Sequence, residues 1–391
     1  MLTLLEEVLQ SASAFPRGHA ELFSRYLCRL VIRERQNPRG VELIDALFDP
    51  EDLRDMADPR QPLLPPDAPF FTALARLAYD GQRREFKGEP QEVNFARRAV
   101  RQTLDNDQWT LARALHLLIE AETCGQYRFR HQQFQEYFAA LELARSGEVA
   151  LAQAPWRPDQ FQRGLAEVRD ELPAWGQLPP VDRSGWEETA RMAAELAEDG
   201  DDFIARLAEV NLPLAGQSAA PERVAVNLRA NLAERLLARM RDDRADLRAR
   251  IAAGHALGEM EMLEVLGYRA LARNGQRIAW LPPVETIPGG EYTFGSQDDP
   301  EADSDEHRFS QRLAEFALGR FPVTNAEWGC FIKAGGYEEP RWWRGEASRR
   351  YREQGSNEGE IYFLKSIRQV VRAQDLDLEE VLAALRIGPE Q

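Results

Sequence analysis

The side chains able to do chemistry are few enough to weigh one at a time. His131 stands inside FRHQQFQEYFAA, residues 129–140, just before aromatic residues at helical spacing. An imidazole titrates near neutral pH and donates to phosphate oxygens. A cap on the helix that begins near Gln132, or packing against Phe134, is the plain reading of the position. The run DDPEADSDEH, residues 298–307, concentrates carboxylates. Asp298, Asp299, Asp303 and Asp305 are the candidate ligands for a hard cation such as calcium. The run lacks the glycine-turn spacing of an EF-hand, so a solvated acidic loop is the plain reading and no metal is expected. Cys28, Cys124 and Cys330 lie far apart, without CxxC or Cys/His spacing. Neither a zinc site nor a disulfide framework is expected. G-x-x-x-x-G-K-[ST] occurs nowhere, so no P-loop nest or lysine awaits phosphates.

The elements that must position these residues read mostly as helices. Leu4, Leu5, Val8 and Leu9 share a face, as do Leu22, Tyr26, Leu27, Leu30 and Val31. The proline-rich stretch 59–69 breaks the pattern, and a helix resumes through Phe71, Leu74 and Leu77. Tyr127 and Phe129 alternate with arginines, as in a short strand. From Gln132 the period changes, with Phe134, Phe138 and Leu141 on one helix face. Residues 155–186 are irregular and rich in Trp and Pro. Residues 187–274 return to helical spacing, with Gly200, Gly216 and Gly258 read as helix ends. β-type runs begin near 275–283. A polar, mobile stretch is expected at 344–360, and a final helix over 361–387.

Composition narrows the partners. Net charge is −16 over 391 residues, which opposes broad binding to nucleic acid or anionic membrane. No stretch has the apolar length of a membrane span, and MLTLLEEVLQ lacks the basic start of a signal peptide. A soluble, cytoplasmic protein with reduced thiols is expected.

Two stretches resemble known families. FRHQQFQEYFAA resembles the end of the winged-helix domain in NACHT-type STAND ATPases. LTLL at 2–5, RGHAELFSRYLCRLVIRE at 17–34 and LARLAYDGQ at 74–82 extend that resemblance over residues 1–144. It implies that His131 contacts the β-phosphate of ADP in the inactive state, with ATP or ADP bound only if a P-loop module completes the chain. RIAAGHALGEM at 250–260 resembles a HEAT-like helix. Residues 282–337, with IPGGEYTFGS and GRFPVTNAEW, resemble the opening of the formylglycine-generating-enzyme, or sulfatase-modifying-factor, fold. Its acidic loop carries Glu306 and His307 but lacks the usual proline. That family's catalytic cysteine pair lies near the far end of a longer domain, and Cys330 reads as a small packed residue.

The fold expected is mainly α. A winged-helix remnant (1–145) and a HEAT-like helical linker domain (146–280) precede a small, incomplete α+β domain with a helical tail (281–391). The function expected is that of a regulatory or sensor fragment of a bacterial NACHT-type signalling and defence ATPase. It would bind a protein partner or an unknown ligand, with no cofactor and no catalysis of its own. Oligomers are left to the full-length parent. The alternatives are a formylglycine-generating-enzyme-like oxidase using iron or copper, or a non-functional gene remnant, both ends cutting into family elements. Trp342 and Trp343 are expected to be exposed.

Overall fold

The computed structural model describes residues 16–86, 94–173, 176–220, 223–273, 276–295 and 307–354. The apolar face read at Leu4 to Leu9, the tail helix at 361–387, and Asp298, Asp299, Asp303 and Asp305 lie outside the described residues. The chain is mainly α, with short sheets in its C-terminal region. It parts into two compact units, Met1–Leu266 and Gly267–Gln391.

The first unit opens with α1 (His19–Glu34), α2 (Pro38–Leu47), α3 (Pro50–Met56) and α4 (Pro69–Phe86). Prolines begin α2, α3 and α4, where a missing N–H loses no helical bond. Next come β1 (Phe95–Ala96), α5 (Arg97–Thr103), α6 (Asn106–Ala114), β2 (Leu118–Glu120) and β3 (Gln126–Phe129). The strands form one antiparallel sheet, ordered β1–β3–β2. Tyr127 and Phe129 of β3 are buried and Arg128 is half-buried, as the alternation requires.

The change of period falls where the sequence puts it. α7 runs Gln132–Ser146 and buries Phe134, Tyr137, Phe138, Leu141 and Leu143. Phe23 of α1 meets Phe134 and Tyr137 at 5.5 Å each. Phe138 reaches Phe129 at 5.7 Å and Phe71 of α4 at 6.5 Å. Tyr137 is wholly buried, and its hydroxyl is bonded to Ser24 Oγ at 2.8 Å. Burial raises its phenol above the ordinary tyrosine range.

α8 (Leu165–Asp170) interrupts the irregular Trp- and Pro-rich stretch. α9 (Glu187–Leu196), α10 (Gly200–Val210), α11 (Leu212–Ser218), α12 (Val226–Arg241) and α13 (Leu247–Glu259) follow. A single core cluster runs from Ala20 to Met260. Gly216 does not end a helix as expected. It lies inside α11, where a Cβ would sit 2.8 Å from Leu236 Cδ1 and 3.0 Å from Met260 Sδ. Its small size serves close packing there. Asp246 and Arg248 form a buried pair at 2.9 Å, and Arg248 also donates to Arg163 O at 3.0 Å. Burial pushes the Asp246 carboxyl up, but the bonds from Arg248 outweigh it and hold the carboxyl below its usual value.

The second unit is built of two-stranded antiparallel ribbons. β4 (Arg269–Arg273) pairs with β5 (Gln276–Leu281), β6 (Val284–Ile287) with β9 (Phe316–Gly319), and β7 (Gly290–Phe294) with β8 (Phe309–Leu313). α14 (Asn325–Lys333) and α15 (Glu346–Gln354) follow. The polar stretch expected after 344 is in part ordered, since α15 occupies it. Arg352 Nη1 donates to Glu338 O at 2.9 Å and ties that helix back. No helix among the described residues is long and apolar enough to cross a membrane.

The α7 packing sets a stability test. Phe138→Ala, which empties a fully buried ring site, should cost about 3–5 kcal/mol in urea unfolding. Tyr137→Phe should cost only about 1 kcal/mol, the net worth of one hydrogen bond. Equal losses from the two would contradict this packing.

Candidate functional site

In the second unit the chemistry-bearing motif spans β9 to the end of α14. Glu285 of β6 lies opposite Leu318 of β9, and its carboxylate pairs with Arg320 at 2.6 Å. The Arg320 N–H donates to Pro283 O at 2.9 Å. Phe321 stacks on Tyr268, with ring centres 5.8 Å apart and planes within 10°. These contacts deliver Pro322, Val323 and Thr324 to the start of α14. Val323 is 70% exposed there, so the strand-like run before the helix presents an apolar side chain to solvent.

Of Thr324 and Asn325, both residue types that can cap a helix, Thr324 caps α14. Its Oγ1 accepts from Glu327 N at 3.2 Å, and Glu327 Oε2 accepts from Thr324 N at 2.7 Å. This reciprocal capping box satisfies two groups that the helix start would otherwise leave open. The helix ends at Ala334, and Gly335 follows in the left-handed region at φ +69°. Trp328, Phe331 and Tyr337 then cluster, with centroids 5.2–6.1 Å apart. Trp343 joins them, 6.1 Å from Tyr337, and its Nε1 donates to Gly336 O at 3.0 Å. The expected exposed pair therefore divides. Trp342 is 56% exposed under the guanidinium of Arg341, while Trp343 is held in the cluster.

The sequence-marked residues are not brought together. Cys330 is half-buried on α14, and His307 is exposed ahead of β8. Cys28 is buried in the helical unit, where burial pushes its thiol up to about 12 and removes it from thiolate chemistry. Cys124 is exposed. Among the described residues no three His, Cys, Asp or Glu side chains converge in a way that could hold a metal ion. Tyr268 and Glu285 escaped sequence reasoning, because they act through cross-strand contacts that no motif records.

His131 occupies the N-cap of α7, but its side chain makes no capping bond. Its ring lies 6.0 Å from that of Phe134. Partial burial lowers its pKa, and the nearby Arg130 and Arg128 lower it further. With the folded value depressed, the folded state binds fewer protons than the unfolded one just below the ordinary 6.5. Its contribution to stability is whole above that pH and falls as pH drops through it. Because the ring is largely exposed, the effect is small.

Against this geometry stand the comparisons. Residues 274–363 match the profile of the sulfatase-modifying factor enzyme 1-like (FGE-sulfatase) domain. The C-terminal region carries an FGE-sulfatase domain. Hercynine oxygenase of Mycolicibacterium smegmatis is 43% identical over 68 residues, covering 16% of this chain and 16% of that protein. Hercynine oxygenase of Mycolicibacterium thermoresistibile is 64% identical over 28 residues, covering 7% of this chain and 6% of that protein. The chain thus spans less than a fifth of the length of these relatives. No solved structure matches.

These matches overturn two expectations. The chain was expected to be a regulatory NACHT-type fragment without catalysis, and not an enzyme. Both matches point instead toward an oxidase. The expectation leaned on the absence of both a P-loop and the catalytic cysteine pair, yet the relatives are named hercynine oxygenases. A missing thiol pair is too narrow a criterion for excluding catalysis.

Three variants check the site. Thr324→Ala should cost about 1 kcal/mol through loss of the capping box. Trp343→Ser should lower the melting temperature of the second unit, while Trp342→Ser should leave it unchanged. In NMR titration, the His131 ring should show a midpoint below 6.5. A midpoint at or above that value would contradict the role given to Arg130 and Arg128.

Proposed function

We propose that this chain is an FGE-like oxidase, in which the second unit supplies part of the enzyme's scaffold. The match of residues 274–363 to the sulfatase-modifying-factor domain carries this reading. The 43% identity to a hercynine oxygenase supports it. So does the formed GRFPVTNAEW segment, where Arg320, Phe321, Thr324 and Glu327 all hold structural contacts.

Such oxidases use iron or copper to activate dioxygen. The described residues do not fit that ion, since Cys330 and His307 stand apart and no ligand set forms among them. No step is therefore written through it. What the described residues do is shape the domain. The capping box orients α14, and the aromatic cluster fixes the turn after it. The substrate proposed is a thiol, such as a cysteine-containing peptide, or hercynine as in the relatives' name.

Cytoplasmic placement and reduced thiols are part of the same reading.

The test supplies the full chain with iron(II) or copper(I), air and a thiol reductant. A cysteine-containing peptide and hercynine are offered separately, and products are followed by mass spectrometry. Protein-dependent mass change of either substrate is expected. Unchanged masses with both substrates and both metals would refute the proposal.

A further inference from the structure

The helical unit holds a cavity of about 240 Å³. Pro155, Pro213, Leu214 and Ala249 supply apolar wall, and Arg239 of α12 supplies a cation. The Arg239 guanidinium lies 4.4 Å from the ring centre of Trp156. This cation–π contact supplies no lone-pair acceptor for the five N–H donors of the guanidinium. Among the described residues Arg239 donates no hydrogen bond and forms no ion pair.

The other charges around it are engaged or peripheral. Arg191 pairs with Glu259 at 2.8 Å and lies 4.0 Å from Glu188. Glu187 accepts from the backbone N–H groups of Ser184 and Gly185. Asp242, whose charge acts on Arg239, is bound to Arg244 at 3.1 Å. Asp182 and Arg183 are exposed. Burial, and then Arg235, press the pKa of Arg239 down to about 10, so it remains a cation at neutral pH. A half-buried cation with five donors and no acceptor is an uncommon thing to leave unmatched.

We propose that this cavity binds a small organic monocarboxylate, its two oxygens taken by the Arg239 fork and its body lying against the proline and leucine wall. The fork matches a carboxylate in a bidentate manner. Of the guanidiniums lining the cavity, Arg191 is taken by Glu259 and Arg183 is exposed, so it is the half-buried Arg239 that calls for one negative charge. A phosphate dianion would leave a charge over and face Glu188. The volume lies below the roughly 300 Å³ at which pockets for drug-sized ligands begin, which selects a small metabolite over a macromolecule. The site is independent of the oxidase reading, since it lies wholly in the first unit.

The test is calorimetric titration of the full chain with benzoate, its neutral isostere benzamide, and inorganic phosphate. Saturable binding of benzoate is expected, with benzamide and phosphate each at least roughly tenfold weaker, the worth of about 1.4 kcal/mol. Arg239→Gln should weaken benzoate by a similar factor. Ala252→Leu, which narrows the cavity and keeps the cation, should weaken it too. No saturable benzoate binding, or benzamide or phosphate binding as tightly as benzoate, would overturn the proposal. So would unchanged benzoate affinity in a folded Arg239→Gln variant. If that variant fails to fold, the three ligands on the native chain decide the matter.

Discussion

The helical unit depends on one helix that has almost no solvent face. α7 buries Phe134, Tyr137, Phe138, Ala139, Ala140, Leu141 and Leu143, with Gln135 besides. None of residues 133–144 is exposed, although glutamines and glutamates stand among the apolar positions, so other elements enclose the helix. α1, α4, α9 and the sheet strand β3 all pack on it. Ala139 and Ala140 let them approach, while the aromatic rings fill the corners at 5.5–6.5 Å. The polar demand of the Tyr137 hydroxyl is answered by Ser24. Enclosure from several sides is why one core extends from Ala20 to Met260 without a break.

The second unit is organised differently. Its ribbons are short, and many of its large apolar side chains stay exposed, Val323 and Leu318 among them. Local devices hold it instead. The Thr324–Glu327 box sets the start of α14, and Trp343 is pinned by ring contact and by its bond to Gly336 O. Stability from such devices is modest, about 1 kcal/mol for a cap. Polar contacts at GRFPVTNAEW thus help to hold the matched region.

Local chemistry was legible in the sequence; contacts across the chain were not. The shift from strand to helix at Gln132 showed as a change of period, and the helix start showed as two possible caps, Thr324 and Asn325. Gly216 misled because a glycine among leucines reads as a stop, whereas Leu236 and Met260 crowd it from other helices. The polar run after 344 misled for a similar reason, as α15 is tied down by the distant carbonyl of Glu338. Nor does any motif join Trp156 to Arg239, which lie far apart in sequence. Function was legible only in part, because neither the P-loop nor the cysteine pair that marks catalysis in the two resembled families stands in the sequence.

The central claim is that the chain's sulfatase-modifying-factor region takes part in dioxygen chemistry. Turnover of the full chain under ¹⁸O₂, with iron or copper and a thiol or hercynine substrate, tests it most directly. Isotope should appear in water if the reaction is an oxidation, or in product if oxygen is inserted, and only when protein and substrate are both present. Label at the level of the protein-free control, with every metal and substrate, would contradict it.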